Sequence, residues 1–259
     1  MMTIVITGAA GGLGGLLARK FAAESVSARG SEKLRLLLLD INEQGLQRLS
    51  EQLKNVEIVL VKADLSSQQG IEEAVKNILE RTERIDLLIN NAGIGIYKRF
   101  PEVGWSDMQL SMNINLLAPY FLTQGLLPAL KPTGQPSSIA RHTPKVINIG
   151  SGTGVIAMPG RSPYVISKFA MRGMSLAMAA ELGTSPQVIL LTLGSMLTSF
   201  GPLSIEEKER LKQQGKGYLD PQWVAEKIVG ISKLEKPESG YVFYPEGYDD
   251  PNTPPANPV

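Results

Sequence analysis

Tyr164 and Lys168 lie four residues apart in a stretch of helical periodicity, so their side chains share one helix face. A phenol with its ordinary pKa of about 10 exchanges protons poorly near neutrality. An ammonium close by favours the phenolate. Bringing the pKa to about 7 requires roughly 4 kcal/mol of differential stabilisation. One adjacent cation and a second positive charge could supply that much in a partly dehydrated cleft. The pair could then give and take protons at a reacting oxygen. Taken alone, Tyr-x-x-x-Lys in a chain with seven tyrosines fits a solvated helix face better, so other segments must decide.

A second set of residues suits phosphate. Thr7-Gly8-Ala9-Ala10-Gly11-Gly12-Leu13-Gly14 joins an apolar run to a helical pattern. Glycines let phosphate oxygens approach main-chain N–H groups, and the helix N-terminus adds partial positive charge. The spacing is Gly-x-x-x-Gly-x-Gly, unlike the common Gly-x-Gly-x-x-Gly fingerprint, and no Lys-Ser/Thr pair follows as in a P-loop. A ligand-free glycine turn is the alternative. Asp40 ends the next apolar run, where a carboxylate can accept both hydroxyls of an adenosine ribose and repel a 2′-phosphate. No Lys or Arg stands beside the loop or just after Asp40, which favours NAD(H) over NADP(H). Asp40 could instead only open the loop before Asn42. Gly150–Gly154 is also glycine-rich, but no helix follows it at once.

These residues need a frame. Apolar runs predict strands at 3–7, 34–39, 56–61, 86–90, 145–149 and 188–193, with a short one near 241–244. Helical spacing runs from Gly12, after Asn42, over 71–79, about 106–130 and 164–182. Strands alternating with helices imply an α/β fold, one doubly wound (Rossmann-like) parallel sheet of about seven strands with helices on both faces. No linker interrupts the pattern, so 1–259 is expected to be a single domain. Residues 25–32 and 132–144 read as inserted surface loops, and 245–259, with five prolines, as an irregular tail.

Composition excludes several classes of function. The chain is 43% hydrophobic and 20% charged, as globular proteins are, and its net charge of +1 offers no field for nucleic acid or an anionic membrane. Without cysteine there is no disulfide or thiolate chemistry, and the single histidine, His142, leaves no His-pair metal site. No metal is expected. The first residues lack the pattern of a signal peptide, and 114–130 is too polar to span a bilayer, so a cytoplasmic protein is expected. Ser151 with His142 raises a hydrolase reading, but Ile149 breaks Gly-x-Ser-x-Gly.

Further segments fall into order with these. Asp64-Leu65 follows the third strand, Asn90-Asn91-Ala92-Gly93 the fourth, and Ile114-Asn115-Leu116 sits in a helix. Ser151 precedes Tyr164 by thirteen residues, and Gly194 and Thr198 form Gly-x-x-x-Thr. The chain resembles the short-chain dehydrogenase/reductase family over nearly its whole length. That resemblance implies that Tyr164 is the general acid or base, that Ser151 bonds the substrate oxygen, and that Lys168 holds the nicotinamide ribose and lowers the phenol pKa. It implies that Asn115 links Lys168 to solvent through a water. It places Gly8, Gly12, Leu13, Gly14, Asp40, Asp64, Leu65, Asn91, Ala92, Gly93, Tyr164, Lys168, Gly194 and Thr198 along the cofactor, with Asp64 and Leu65 at the adenine and Gly194 to Thr198 at the carboxamide. Two departures stand out: Leu193 replaces the family's proline before Gly194, and Gly14 to Asp40 is longer than usual.

Substrate is expected at the carboxyl ends of the strands, against Ile94, Tyr97, Met158, Pro159, Met196 and Phe200, which favours an apolar alcohol or carbonyl compound. Residues 195–219 read as a lid. The 164–182 helix is apolar on more than one face, and the family pairs it across a two-fold axis, so a homodimer or homotetramer is expected. A cofactor-sensing protein without turnover and an epimerase or dehydratase on the same scaffold are the competing readings. The four-residue catalytic set argues against the first, and the chain length and glycine spacing against the second.

Overall fold

The computed structural model describes residues 1–27, 33–132 and 143–245. His142, nearly all of the 132–144 loop, most of the 25–32 insertion and the tail beyond Pro245 lie outside the described residues. Strands β1 (Met2–Thr7), β2 (Leu34–Asp40), β3 (Glu57–Lys62), β4 (Leu87–Asn90), β5 (Lys145–Ile149), β6 (Gln187–Leu193) and β7 (Gly240–Phe243) form one sheet in the order β3-β2-β1-β4-β5-β6-β7. Every pairing is parallel.

Strands buried on both faces explain the continuous apolar runs. Ile4, Ile6, Leu36 and Leu38 face one core, and Val5, Leu37 and Leu39 face the other. Helices α1 (Gly12–Ser27) and α2 (Glu43–Gln52) cover the first face with Leu13, Leu17, Leu46 and Leu49. Helix α3 (Gln68–Leu79) covers the second with Ile71, Ala74 and Ile78. The chain moves outward from β1 to β3, then crosses back to start β4 on the other side of β1. Strand order therefore reverses between β1 and β4, and a crevice opens there at the carboxyl ends.

The long helix expected over 106–130 is broken. It runs as α4 (Trp105–Met112), a π-helical turn (Asn113–Leu117) and α5 (Ala118–Leu126). Pro119 is the cause: it has no N–H for the Asn115 carbonyl four residues back, and its ring would press on that carbonyl. The helix widens instead, with the Ala118 N–H reaching five residues back to the Asn113 carbonyl. Helix α6 (Ser162–Leu182) opens with proline in its first turn, two residues earlier than its periodicity suggests.

Two helices had not been expected. Helix α7 (Ile205–Gln213) lies inside the 195–219 segment, started by a capping box between Ser204 and Glu207. Helix α8 (Pro221–Lys233) is capped by Asp220, carries Pro221 in its first turn, and buries Val224, Ala225 and Ile228 beside α1. Among the described residues no helix is long and apolar enough to cross a membrane.

Candidate active site

Each candidate residue outside the helices follows a strand's carboxyl end. Gly8 comes after β1, Asp40 ends β2, Asp64 lies just past β3, Asn91 after β4, Ser151 after β5 and Gly194 after β6. The parallel topology alone therefore gathers six separated segments on one edge of the sheet.

The glycine turn is tightly built. Gly8 has φ +66°, in the left-handed region, and a Cβ on Gly14 would lie 2.2 Å from the Gly8 carbonyl oxygen. Asn91 Nδ2 donates to the carbonyls of Thr7 (2.9 Å) and Gly8 (3.2 Å), while the N–H groups of Asn91 and Ala92 donate to Thr7 Oγ1. The Asn91 side chain thus braces the turn. Leu13 and Leu65 are buried in the two cores, which leaves only their main chain for a ligand. Asp40 ties β2 to the turn: Oδ2 accepts from the Ala10 N–H (3.0 Å) and Oδ1 from the Asn42 N–H (2.9 Å). Asp64 is exposed, and its hydrogen bonds from Ser66 hold its carboxyl below the usual carboxylate range.

The four catalytic candidates come together, with their surroundings set by α6 and the π-helical turn. Tyr164 and Lys168 are buried, 8% and 5% exposed. The Ser151 hydroxyl faces the Tyr164 phenol and acts to lower its pKa. Ser151 Oγ also accepts from Thr153 Oγ1 (3.0 Å) and the Thr153 N–H (3.3 Å), which fixes it at the start of a short 3-10 turn. Lys168 Nζ donates to the Ile149 carbonyl at 2.9 Å and lies 5.8 Å from the Tyr164 ring centroid.

Asn115 is fully buried, with both ends of its side-chain amide hydrogen-bonded to protein. Its Oδ1 accepts from the Ile94 N–H (2.8 Å), and Nδ2 donates to the Ile94 carbonyl (2.9 Å), Ser167 Oγ (3.0 Å) and Ser111 Oγ (3.3 Å). Its amide therefore clamps the segment after β4 to the catalytic turn of α6. Gly93 passes between: a Cβ there would sit 3.1 Å from Asn115 Oδ1 and 3.8 Å from Lys168 Nζ, filling the space beside the ammonium.

Lys168 was expected to lower the Tyr164 pKa. In the protein alone, burial pushes the phenol up to about 12, while Ser151 and Arg161 act to lower it and Tyr97 to raise it. Burial also pulls Lys168 down to about 8. Desolvation outweighs local charge at both groups.

Thr198 packs over the phosphate loop, where a Cβ on Gly12 would meet its side chain at 3.2 Å. Gly194 hugs the end of β7, its N–H donating to the Phe243 carbonyl at 2.8 Å. Leu193, standing where the family has proline, pairs with Phe243 and extends β6. Of the expected substrate contacts, Tyr97 and Phe200 flank Tyr164 with ring centroids 6.4 and 5.8 Å away. Three residues escaped the sequence reading. Arg161 stacks on Tyr97 at 5.4 Å, Ser167 joins Asn115 to α6, and Lys208 is buried against the 196–200 main chain. Their only signals were positional: three before Tyr164, one before Lys168, and four after the Ser204 cap.

The residues suit a dinucleotide. The glycine turn exposes Gly11 and Gly12 at a helix N-terminus with no acidic residue in its first turn, Asp40 lies beside that turn, and Gly93 leaves space at Lys168.

Comparison with known proteins agrees. Residues 180 long, 68% of this chain, are 33% identical to the CLA biosynthesis dehydrogenase/reductase of Lactiplantibacillus plantarum and cover 57% of it. Oxidoreductase UcpA of Escherichia coli (strain K12) is 30% identical over 186 residues, 71% of this chain and 64% of UcpA. The match thus spans less than two thirds of either relative. The alcohol dehydrogenase of Thermococcus sibiricus complexed with 5-hydroxy-NADP superposes with TM-score 0.76 at 25% identity, covering 95% of this chain and 97% of that one. A 4-hydroxyisoleucine dehydrogenase complexed with NADH gives 0.77 at 24% identity over 94% and 97%, a likeness of fold. The family model for short chain dehydrogenase matches residues 2–208, and this chain belongs to that family.

Proposed function

We propose that the protein interconverts a secondary alcohol and a ketone or aldehyde on a largely apolar substrate, with NAD(H) preferred to NADP(H). The observation that carries the reading is the buried Tyr164 phenol, set beside Ser151 and Lys168 at the carboxyl edge of the sheet. Gly8, Gly12, Gly14 and the N-terminus of α1 would hold the pyrophosphate, Asp40 the adenosine ribose, and Gly93 with Lys168 the nicotinamide ribose. A nicotinamide cofactor held there would supply or take the hydride.

The chain's own residues manage the proton. With its phenol held near 12, Tyr164 carries its proton throughout the physiological range, ready to donate to a carbonyl oxygen during reduction. Ser151 offers a hydroxyl to the same oxygen and steadies charge developing there. In oxidation Tyr164 must first lose its proton; from a value near 12 to one near 7 this takes about 7 kcal/mol. Ser151, Arg161 and any positive charge entering the cleft work in that direction. Asn115 positions the Ile94 segment and the Lys168 turn relative to each other, and Tyr97 and Phe200 shield the phenol from water. The 195–219 lid is tied at its neck, where the Leu219 N–H donates to the Ser195 carbonyl (2.8 Å) and the Leu197 N–H to the Leu219 carbonyl (3.2 Å).

A homodimer or homotetramer is part of the proposal. Helices α5 and α6 leave Tyr120, Phe121, Ile166, Phe169 and Leu176 exposed, an apolar surface that a second copy would cover.

The test follows reduced cofactor by absorbance with a panel of apolar alcohols and ketones, beside Tyr164→Phe. Turnover that survives the substitution refutes the mechanism. NADH binding without turnover of any substrate favours the sensor.

A further inference from the structure

We propose that Arg161 is a substrate-binding residue that receives a carboxylate, so the substrate is an apolar hydroxy or oxo monocarboxylic acid. The proposal deepens the oxidoreductase reading and rests on it for the identity of the cleft. Arg161 immediately precedes α6, three residues before Tyr164. Its guanidinium lies 5.4 Å from the Tyr97 ring centroid, and that ring is 6.4 Å from Tyr164. One phenol ring therefore touches both the cation and the proton donor. Arg161 Nε is buried and has no hydrogen-bond partner. No ion pair involves Arg161 among the described residues.

A buried guanidinium N–H without an acceptor is costly, and an approaching ligand oxygen would relieve it. The other cations at this cleft already donate to main-chain carbonyls, Lys168 to Ile149, with its free donors on the proposed nicotinamide side, and Lys208 to Thr198 and Phe200. Arg161 alone among these three has nothing to hold. Its planar fork matches a carboxylate. A dianionic phosphate would find one available cation amid the aromatic rings of Tyr97 and Phe200, and would be poorly compensated. The carboxylate on Arg161 would fix one end of the substrate and set its reacting carbon against Tyr164 and Ser151.

The test is calorimetric titration of the full chain, with and without NADH, using hexanoate, hexanamide and hexyl phosphate at pH 7. Hexanoate should bind about 10- to 100-fold tighter than hexanamide, as a charge-assisted hydrogen bond predicts. Arg161→Gln and Arg161→Met should bring the two within about threefold, chiefly by weakening hexanoate. Circular dichroism checks that the variants fold, and the wild-type comparison needs no variant. Equal binding of acid and amide, a preference that survives both substitutions, tighter binding of hexyl phosphate, or no binding of hexanoate would each overturn the proposal. Failure of the oxidoreductase reading looks different: hexanoate is preferred through Arg161, yet neither oxo acids nor neutral ketones are turned over with NAD(H).

Discussion

Replacing Lys208 by methionine should loosen the segment that covers the phosphate loop. The Lys208 ammonium, only 6% exposed, donates to the Thr198 and Phe200 carbonyls at 2.6 Å each and to Met196 at 3.5 Å. Each short bond carries a full charge, worth roughly 1.5–3 kcal/mol. Methionine fills much of the same space but leaves the carbonyls without a donor. Part of the loss is returned, because burial lowers the Lys208 pKa and so opposes its charged form. A net cost of about 2 kcal/mol remains, enough for a roughly 30-fold rise in local opening. Since Thr198 packs on Gly12, the looser segment should also weaken cofactor binding, by about 10-fold. Hydrogen exchange of the Leu197 and Thr198 amides reads the first effect, and fluorescence titration with NADH the second. Lys208→Arg should recover part of both, because it retains a donor and a charge. Unchanged exchange and unchanged affinity in the methionine variant would show that the clamp does not hold the lid.

Other consequences are as direct. Tyr164→Phe should lower turnover about 10²- to 10⁴-fold while NADH still binds, measured by steady-state rates and titration. Carbonyl reduction should decline as pH rises through about 8, where Lys168 loses the charge it carries below that value, and Tyr164, held near 12, should contribute no break there; a pH–rate profile for reduction checks this. Gly14→Ala sets a methyl 2.2 Å from the Gly8 carbonyl, and should cost at least about 3 kcal/mol, or roughly 5–10 °C of Tm by calorimetry. Asp40→Ala removes the acceptor for the Ala10 N–H and the repulsion of a 2′-phosphate, so kcat/KM with NAD should fall about 10-fold relative to NADP.

Most of the fold was legible because burial on both faces makes a strand unmistakable. Leu34 to Leu39 could be little else, and the strand at β5 coincides with its predicted bounds. The missed α8 had its signals on the page: Asp220 and Pro221 at the start, then Val224, Ile228 and Ile231 at helical spacing. The broken α4–α5 helix is subtler, since Pro119 marks a disturbance without saying whether the helix stops, kinks or widens. At the site, the family resemblance rather than spacing alone singled out Ser151 and Asn115 alongside Tyr164 and Lys168. Neither predicted partners set by tertiary packing, such as the Ile94 and Ser167 groups that hold the Asn115 side chain.

The phenol shows where such reasoning has to stop. Tyr164 and Lys168 one turn apart suggest an acidified tyrosine, because adjacency in sequence reveals the nearby charge and conceals the dielectric around it. In the folded protein Tyr97 and Phe200 flank the ring, and desolvation raises the phenol while lowering the lysine. The two shifts bring the groups to the same condition near neutrality: both keep their protons. Under the proposed mechanism, a neutral phenol beside a charged ammonium would be the form that donates a proton in carbonyl reduction. Oxidation would draw on charge that arrives with the ligands. A carboxylate bound to Arg161 would neutralise one of the groups that lower the Tyr164 pKa, reinforcing the protonated phenol and the reductive direction.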